Sequence, residues 1–140
     1  MGNIKRLGLA FCMVALLQVV GCGKEEKPKG KVFFVEPKNG AEIKGPVKIV
    51  MGVEGIKIQP AGEVVEGTGH HHVLINLDSV QAGQVIPTDD AHRHFGKGQT
   101  EAELDLPPGD YKLTLQFADG LHRSYGRELS DTINIKVLPQ

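Results

Sequence analysis

The chain has 140 residues, with 16 Lys plus Arg against 17 Asp plus Glu, 40% hydrophobic residues, two cysteines and 18 glycines, which is room for one domain. A formal charge of −1 with no basic cluster excludes an electrostatic grip on nucleic acid, which needs Lys and Arg gathered along one face. Charged residues at 24%, with apolar residues scattered among them, also exclude a wholly disordered chain and a polytopic membrane protein.

Residues 1–21 have the shape of a secretory signal peptide: Lys5 and Arg6 precede the apolar run Leu7 to Val20. That run falls short of the roughly 20 residues a membrane-spanning helix requires. It stops at Val19-Val20-Gly21-Cys22, which resembles the bacterial lipobox, so cleavage is expected before Cys22 and lipidation upon it. Cys12 would leave with the signal, and a lone remaining thiol can close no disulfide within the chain. The mature chain then carries 14 basic against 17 acidic residues. Residues 22–30, the lipidated cysteine followed by GKEEKPKG, read as a solvated tether. The expected location is the bacterial cell envelope, facing the periplasm, with the N-terminal lipid as the membrane contact. Gly23 in place of an aspartate points toward the outer membrane.

From residue 31 to residue 140 apolar residues recur with period 2 between turn signals and show no helical stripe. Strands are expected at Val32–Val35, Val47–Val53, Val73–Leu77, Glu101–Leu106, Tyr111–Phe117 and Ile133–Val137, with a short seventh at Gln84–Pro87. In the fifth of these, Tyr111, Leu113, Leu115 and Phe117 share the buried face. Pro37-Lys38-Asn39-Gly40, Pro107-Pro108-Gly109-Asp110 and Asp119-Gly120 mark turns. Seven short strands over about 110 residues predict an all-β fold, an immunoglobulin-like antiparallel β-sandwich. Tyr111 after Pro-Gly-Asp is similar to the tyrosine corner of such domains.

All six histidines lie between residues 70 and 122, five of them in the clusters His70-His71-His72 and His92-Arg93-His94. On an extended chain, residues two apart project to the same side with Cα atoms roughly 6.5 to 7 Å apart, so two imidazoles can lean onto one ion. His70 and His72 then share one face, while His71 shares the face of Val73 and Ile75. In a sandwich every second connection lies at the same end, which brings the segments before Val73, before Glu101 and after Phe117 together. The candidate metal ligands are therefore His70, His72, His92, His94 and His122, near Glu63, Glu66, Asp89, Asp90 and Asp119. Imidazole and carboxylate ligands suit Cu(II), Zn(II) or Ni(II), with Cu(II) bound most tightly by intrinsic affinity. A soft Cu(I) site is disfavoured, because no thiolate and only Met51 would remain in the folded part.

The alternative is a polar network of these histidines with Arg93, Arg123 and Tyr125 that braces long loops or meets an envelope protein or glycan. A hydrolytic or redox metalloenzyme is the third reading. Ser79, Ser124 and Ser130 sit in no nucleophile-elbow context, and the glycines of Glu66-Gly67-Thr68-Gly69 precede a strand, not the helix N-terminus a phosphate loop uses.

The ordered segments Gly67-Thr68-Gly69-His70-His71-His72, His92-Arg93-His94-Phe95-Gly96-Lys97-Gly98-Gln99-Thr100 and Leu104-Asp105-Leu106-Pro107-Pro108-Gly109 resemble the bacterial domain-of-unknown-function family 4399. The resemblance covers roughly residues 32 to 138, and Ala118 to Gly126 fits it more loosely. It implies an exported bacterial protein without a settled biochemical role. It also implies that the histidine segments are the family's hallmark, with Phe95, Gly96 and Gln99 as companions.

Overall fold

The structure, a computed structural model, describes residues 29–140. The expected signal peptide, Cys22 and most of the tether lie outside the described residues. Its last residue, Gly30, already packs on the domain, where a Cβ would collide with Ile56.

Among the described residues nine strands form two sheets. They are β1 (Lys31–Glu36), β2 (Ala41–Lys44), β3 (Val47–Glu54), β4 (Lys57–Ile58), β5 (Thr68–Ile75), β6 (His92–His94), β7 (Glu101–Leu104), β8 (Gly109–Ala118) and β9 (Ser130–Leu138), with a single 3-10 turn at Arg127–Leu129. One sheet has the order β1-β3-β7; the other has the order β2-β9-β8-β5-β4, and β6 also pairs with β5. No helix among the described residues is long and apolar enough to cross a membrane.

The alternating residues lie as their period requires. Val47, Ile49 and Met51 of β3 meet Leu113, Leu115 and Phe117 of β8 and Ile133, Ile135 and Val137 of β9 in one buried cluster between the sheets. Tyr111 packs at its margin, and its hydroxyl donates to the Pro107 carbonyl at 2.8 Å, four residues upstream, as a tyrosine corner does.

The architecture is the expected β-sandwich, with nine strands where about seven were expected. The additional strands β2, β4 and β6 are two to four residues long, too short for a periodic signal, and take their form from a longer neighbour. Two of them run parallel to that neighbour, β2 to β9 and β4 to β5, so the pairing is not purely antiparallel. Gln84–Pro87 makes an isolated bridge, Val85 with Arg123, not a strand.

The outer face of the six-stranded sheet is also covered. Leu74, Ile86 and Ala118 are buried there with Leu77 and Val80 packed against them. Gln116 anchors this cover: its amide donates to the Gly126 carbonyl at 2.9 Å and its side-chain oxygen accepts from the Val80 amide at 3.1 Å. As a result β5 is buried on both faces, although His70, His71 and His72 are three of its eight residues.

Candidate metal centre

The histidines converge on this covered outer face. His70 to His72 stand inside β5, not in the loop before it, and the register pairs His70 with Ala118, His71 with Phe117 and His72 with Gln116. Alternation sends the His71 ring into the core, edge-on to Phe117 at 5.2 Å between centroids. His70 and His72 point the other way, where β6 places His94 opposite His72.

His122 arrives from the turn after β8. Asp119 builds that turn: its side chain accepts from the Leu121 and Arg123 amides at 2.9 and 3.0 Å, and its other oxygen accepts from the Arg123 guanidinium at 2.7 Å. His122 sits at φ 64°, a left-handed conformation costing of order 1–3 kcal/mol that persists only where surroundings impose it. Its amide donates to the Asp119 carbonyl, and its carbonyl accepts from the Ile86 amide, both at 2.9 Å.

The strained backbone delivers the His122 ring to the other three. Nε2 of His122 lies 3.1 Å from Nε2 of His94, and Nε2 of His72 lies 3.1 Å from Nε2 of His70. The four rings form a closed set, every pair between 4.7 and 5.9 Å from centroid to centroid. His70, His94 and His122 each offer one ring nitrogen within 4.8 Å of the others, a set that His72 does not join although its Nε2 touches that of His70.

Two glycines make room for this. Gly96 lies directly against the His94 ring, where a Cβ would collide with Cε1 and Nε2. At Gly69 a Cβ would stand 2.7 Å from the Phe117 ring and collide with the Ala118 carbonyl, so the close β5–β8 approach ahead of His70 requires glycine. The Ala61 and Gly62 amides, both at 2.8 Å, donate to the carbonyls of Gly96 and Gly120 and tie together the two segments that carry His94 and His122.

The electrostatics favour neutral rings. Burial, aided by repulsion from the neighbouring imidazoles, lowers the pKa of His70 to about 4 and that of His72 to about 2. The pKa of His94 is lowered by burial and by His122. Burial lowers the pKa of His71 to about 4. At neutral pH His70, His72 and His94 therefore present unprotonated nitrogen lone pairs, the form in which imidazole binds a metal. Nδ1 of His70 and Nδ1 of His72 are buried without a hydrogen-bond partner. Such a group costs roughly 1–3 kcal/mol.

His92 stands apart from the four. Its Nδ1 lies 2.8 Å from a carboxylate oxygen of Asp89, the residue that also accepts from the His92 amide. Of the nearby acids, Asp89 and Asp119 have these specific tasks, and Asp90 lies 3.6 Å from Arg93. Sequence reasoning missed Gln116, since a lone polar residue in an alternating strand reads as solvent-facing.

The family model described as a domain of unknown function, DUF4399, matches residues 49–138, a span that includes all six histidines. Among solved structures, the endo-beta-1,4-mannanase from Thermotoga petrophila is similar at 22% identity and a TM-score of 0.47, over 83% of this chain and 21% of the mannanase chain. Comparison with curated proteins gave no match.

Proposed function

Since the chain belongs to the DUF4399 family, whose description assigns it no activity, we propose from its own residues that it is a lipid-anchored, exported module that binds a divalent metal, Cu(II) or Zn(II), at His70, His72, His94 and His122. The convergence of four imidazoles, with Nε2 atoms paired at 3.1 Å, carries the reading. In each Nε2 pair one ring donates and the other accepts, so the accepting ring must hold its proton on Nδ1. In the pair His70 and His72, that Nδ1–H is buried without an acceptor, whether the Nε2 atoms share a proton or a metal ion.

A metal ion would be held by nitrogen alone, and the lowered pKa values of His70, His72 and His94 reduce proton competition at those rings near pH 7. His92, turned to Asp89, lies outside this ligand set. The anchor rests on Val19 to Cys22 and the tether, and it places the domain at the periplasmic surface of a membrane. There it would hold or pass on a metal ion.

Calorimetric titration of the tag-free, chelator-stripped protein with Zn(II) and with Cu(II) tests the site. One ion per chain is expected to bind at neutral pH. His72→Ala and His94→Ala should each remove most of that binding, and the double variant should cost little more than either single one, because both act on one ion. Absence of saturable binding by either metal would discard the metal reading in favour of the histidines bracing the His122 turn.

A further inference from the structure

The four rings are not equivalent. His70, His94 and His122 bring one nitrogen each to within 4.8 Å of the others, and their centroids form a nearly equilateral triangle with sides of 4.7, 5.0 and 5.1 Å. One point can therefore lie at equal distance from all three rings, as an ion on a three-legged support does. His72 breaks that symmetry. It stands 5.9 Å from His122, the longest of the six ring separations, and its nitrogens stay outside the convergent set. It is seated instead against two of the three, 4.9 Å from both His70 and His94, with its Nε2 3.1 Å from that of His70.

Burial gives the three-ring support a direction. His70 is fully buried within β5, whereas His94 and His122 are half-buried and come from β6 and from the turn after β8. The sheet closes the floor beneath His70, and the side away from it is bounded by two residues that reach the surface.

No carboxylate fills that side. Among the described residues no Asp or Glu joins the three histidines. Asp119 is taken up by the Leu121 and Arg123 amides and the Arg123 guanidinium, Asp89 holds His92, and Glu63 and Glu66 are exposed. Three neutral imidazoles leave the full charge of a divalent ion uncompensated, in surroundings where Coulomb attraction is stronger than in bulk water. A negatively charged donor is therefore what such an ion lacks. Three protein ligands also define the kind of site that keeps a position for an outside ligand, whereas structural sites use four.

Resting on the metal reading above, we infer that His70, His94 and His122 form an open three-histidine centre whose remaining position takes a small anion from solution, and that His72 is a positioning residue which holds the His70 ring. Partners of this kind orient a ligating ring from behind, and their loss costs about 10- to 100-fold in metal affinity. An open position also suits a module that hands its ion on, because an incoming donor can bind before any histidine lets go.

Cobalt(II) reports on both parts, since its visible absorption changes whenever a ligand is added or exchanged. The full chain, purified without a tag and stripped with chelator, is loaded with one equivalent of Co(II) and titrated with azide, and separately with thiocyanate, at constant ionic strength. A saturable change of the visible band is expected. His72→Ala should lower Co(II) affinity about 10- to 100-fold, yet once saturated with Co(II) it should keep the anion response. His72→Gln, whose amide can again contact His70, should recover part of that loss. His122→Ala removes a ligand, so its loss should exceed that of His72→Ala by about tenfold or more while the far-ultraviolet spectrum stays sheet-like.

A visible band that neither anion alters would overturn the open position, because the protein would then fill every place on the ion. A loss in His72→Ala as complete as in His122→Ala, with no recovery in His72→Gln, would make His72 a ligand and overturn its positioning role. Failure of Co(II), Zn(II) and Cu(II) alike to bind would instead remove the metal reading on which this one rests.

Discussion

Replacing His71 with leucine is expected to stabilise the domain, although His71 is one of the most deeply buried residues of the chain. Its ring is 0% exposed, and neither Nδ1 nor Nε2 has a hydrogen-bond partner. A neutral imidazole has one N–H and one lone pair, and each left unpaired in the interior costs about 1–3 kcal/mol. Leucine fills similar space against Phe117 with no polar atom, and its different shape costs under about 1.5 kcal/mol. Two such groups outweigh the shape cost, so a net gain of at least about 0.5 kcal/mol at pH 7.5 follows.

Acid should widen the gap. Burial first, and His70 second, lower the folded-state pKa of His71 to about 4, whereas the unfolded ring keeps 6.5. The unfolded state therefore binds the proton more readily. The stability is intact above pH 6.5 and drains as the pH falls toward about 4, by up to about 3 kcal/mol at 1.36 kcal/mol per unit. The leucine variant escapes that loss. Urea unfolding at pH 7.5 and pH 5, with chelator present so that metal linkage does not enter, measures both effects. A variant less stable than the parent at both pH values, or a gap that does not grow on acidification, would refute the reasoning.

Gly96→Ala should leave the unfolding midpoint nearly unchanged, since its Cβ displaces only the end of the His94 side chain, yet weaken metal binding by about 10- to 100-fold in competition titrations. Unchanged affinity would mean that the His94 ring is not a ligand. Leu115→Ala should cost about 2–5 kcal/mol in denaturant unfolding, because Leu115 is fully buried between the sheets, while Lys112→Ala on the opposite face should be almost silent. Asp119→Ala removes the acceptor of two amides and a guanidinium at the His122 turn, so both thermal stability and metal affinity should fall. A loss of stability with full affinity would separate that turn from the site. Cys22→Ala should release the protein from detergent-phase membrane extracts, and retention there without an acyl mass on the wild-type N-terminus would exclude the anchor.

Period-2 alternation is a local property of an extended backbone. The sequence by itself therefore determined which faces of β3 and β9 are buried, which face of β8 enters the core between the sheets, and that His70 and His72 project opposite to His71; that Thr114 and Gln116 bury the other face of β8 was not legible. The Tyr111 corner was equally legible, because its hydroxyl reaches only four residues back. Tertiary structure decided the rest. His92 and His94 have the same spacing as His70 and His72, yet only His94 joins the cluster, because Asp89 captures His92. Strands as short as β6 exist only through pairing with β5, so no local pattern announces them. The convergence of His122 depends on a left-handed residue, the Asp119 turn and the Ile86 amide, which lies 36 positions earlier in the chain. A histidine's side of a strand follows from its neighbours in sequence, whereas its company follows from which distant segments pack over that side.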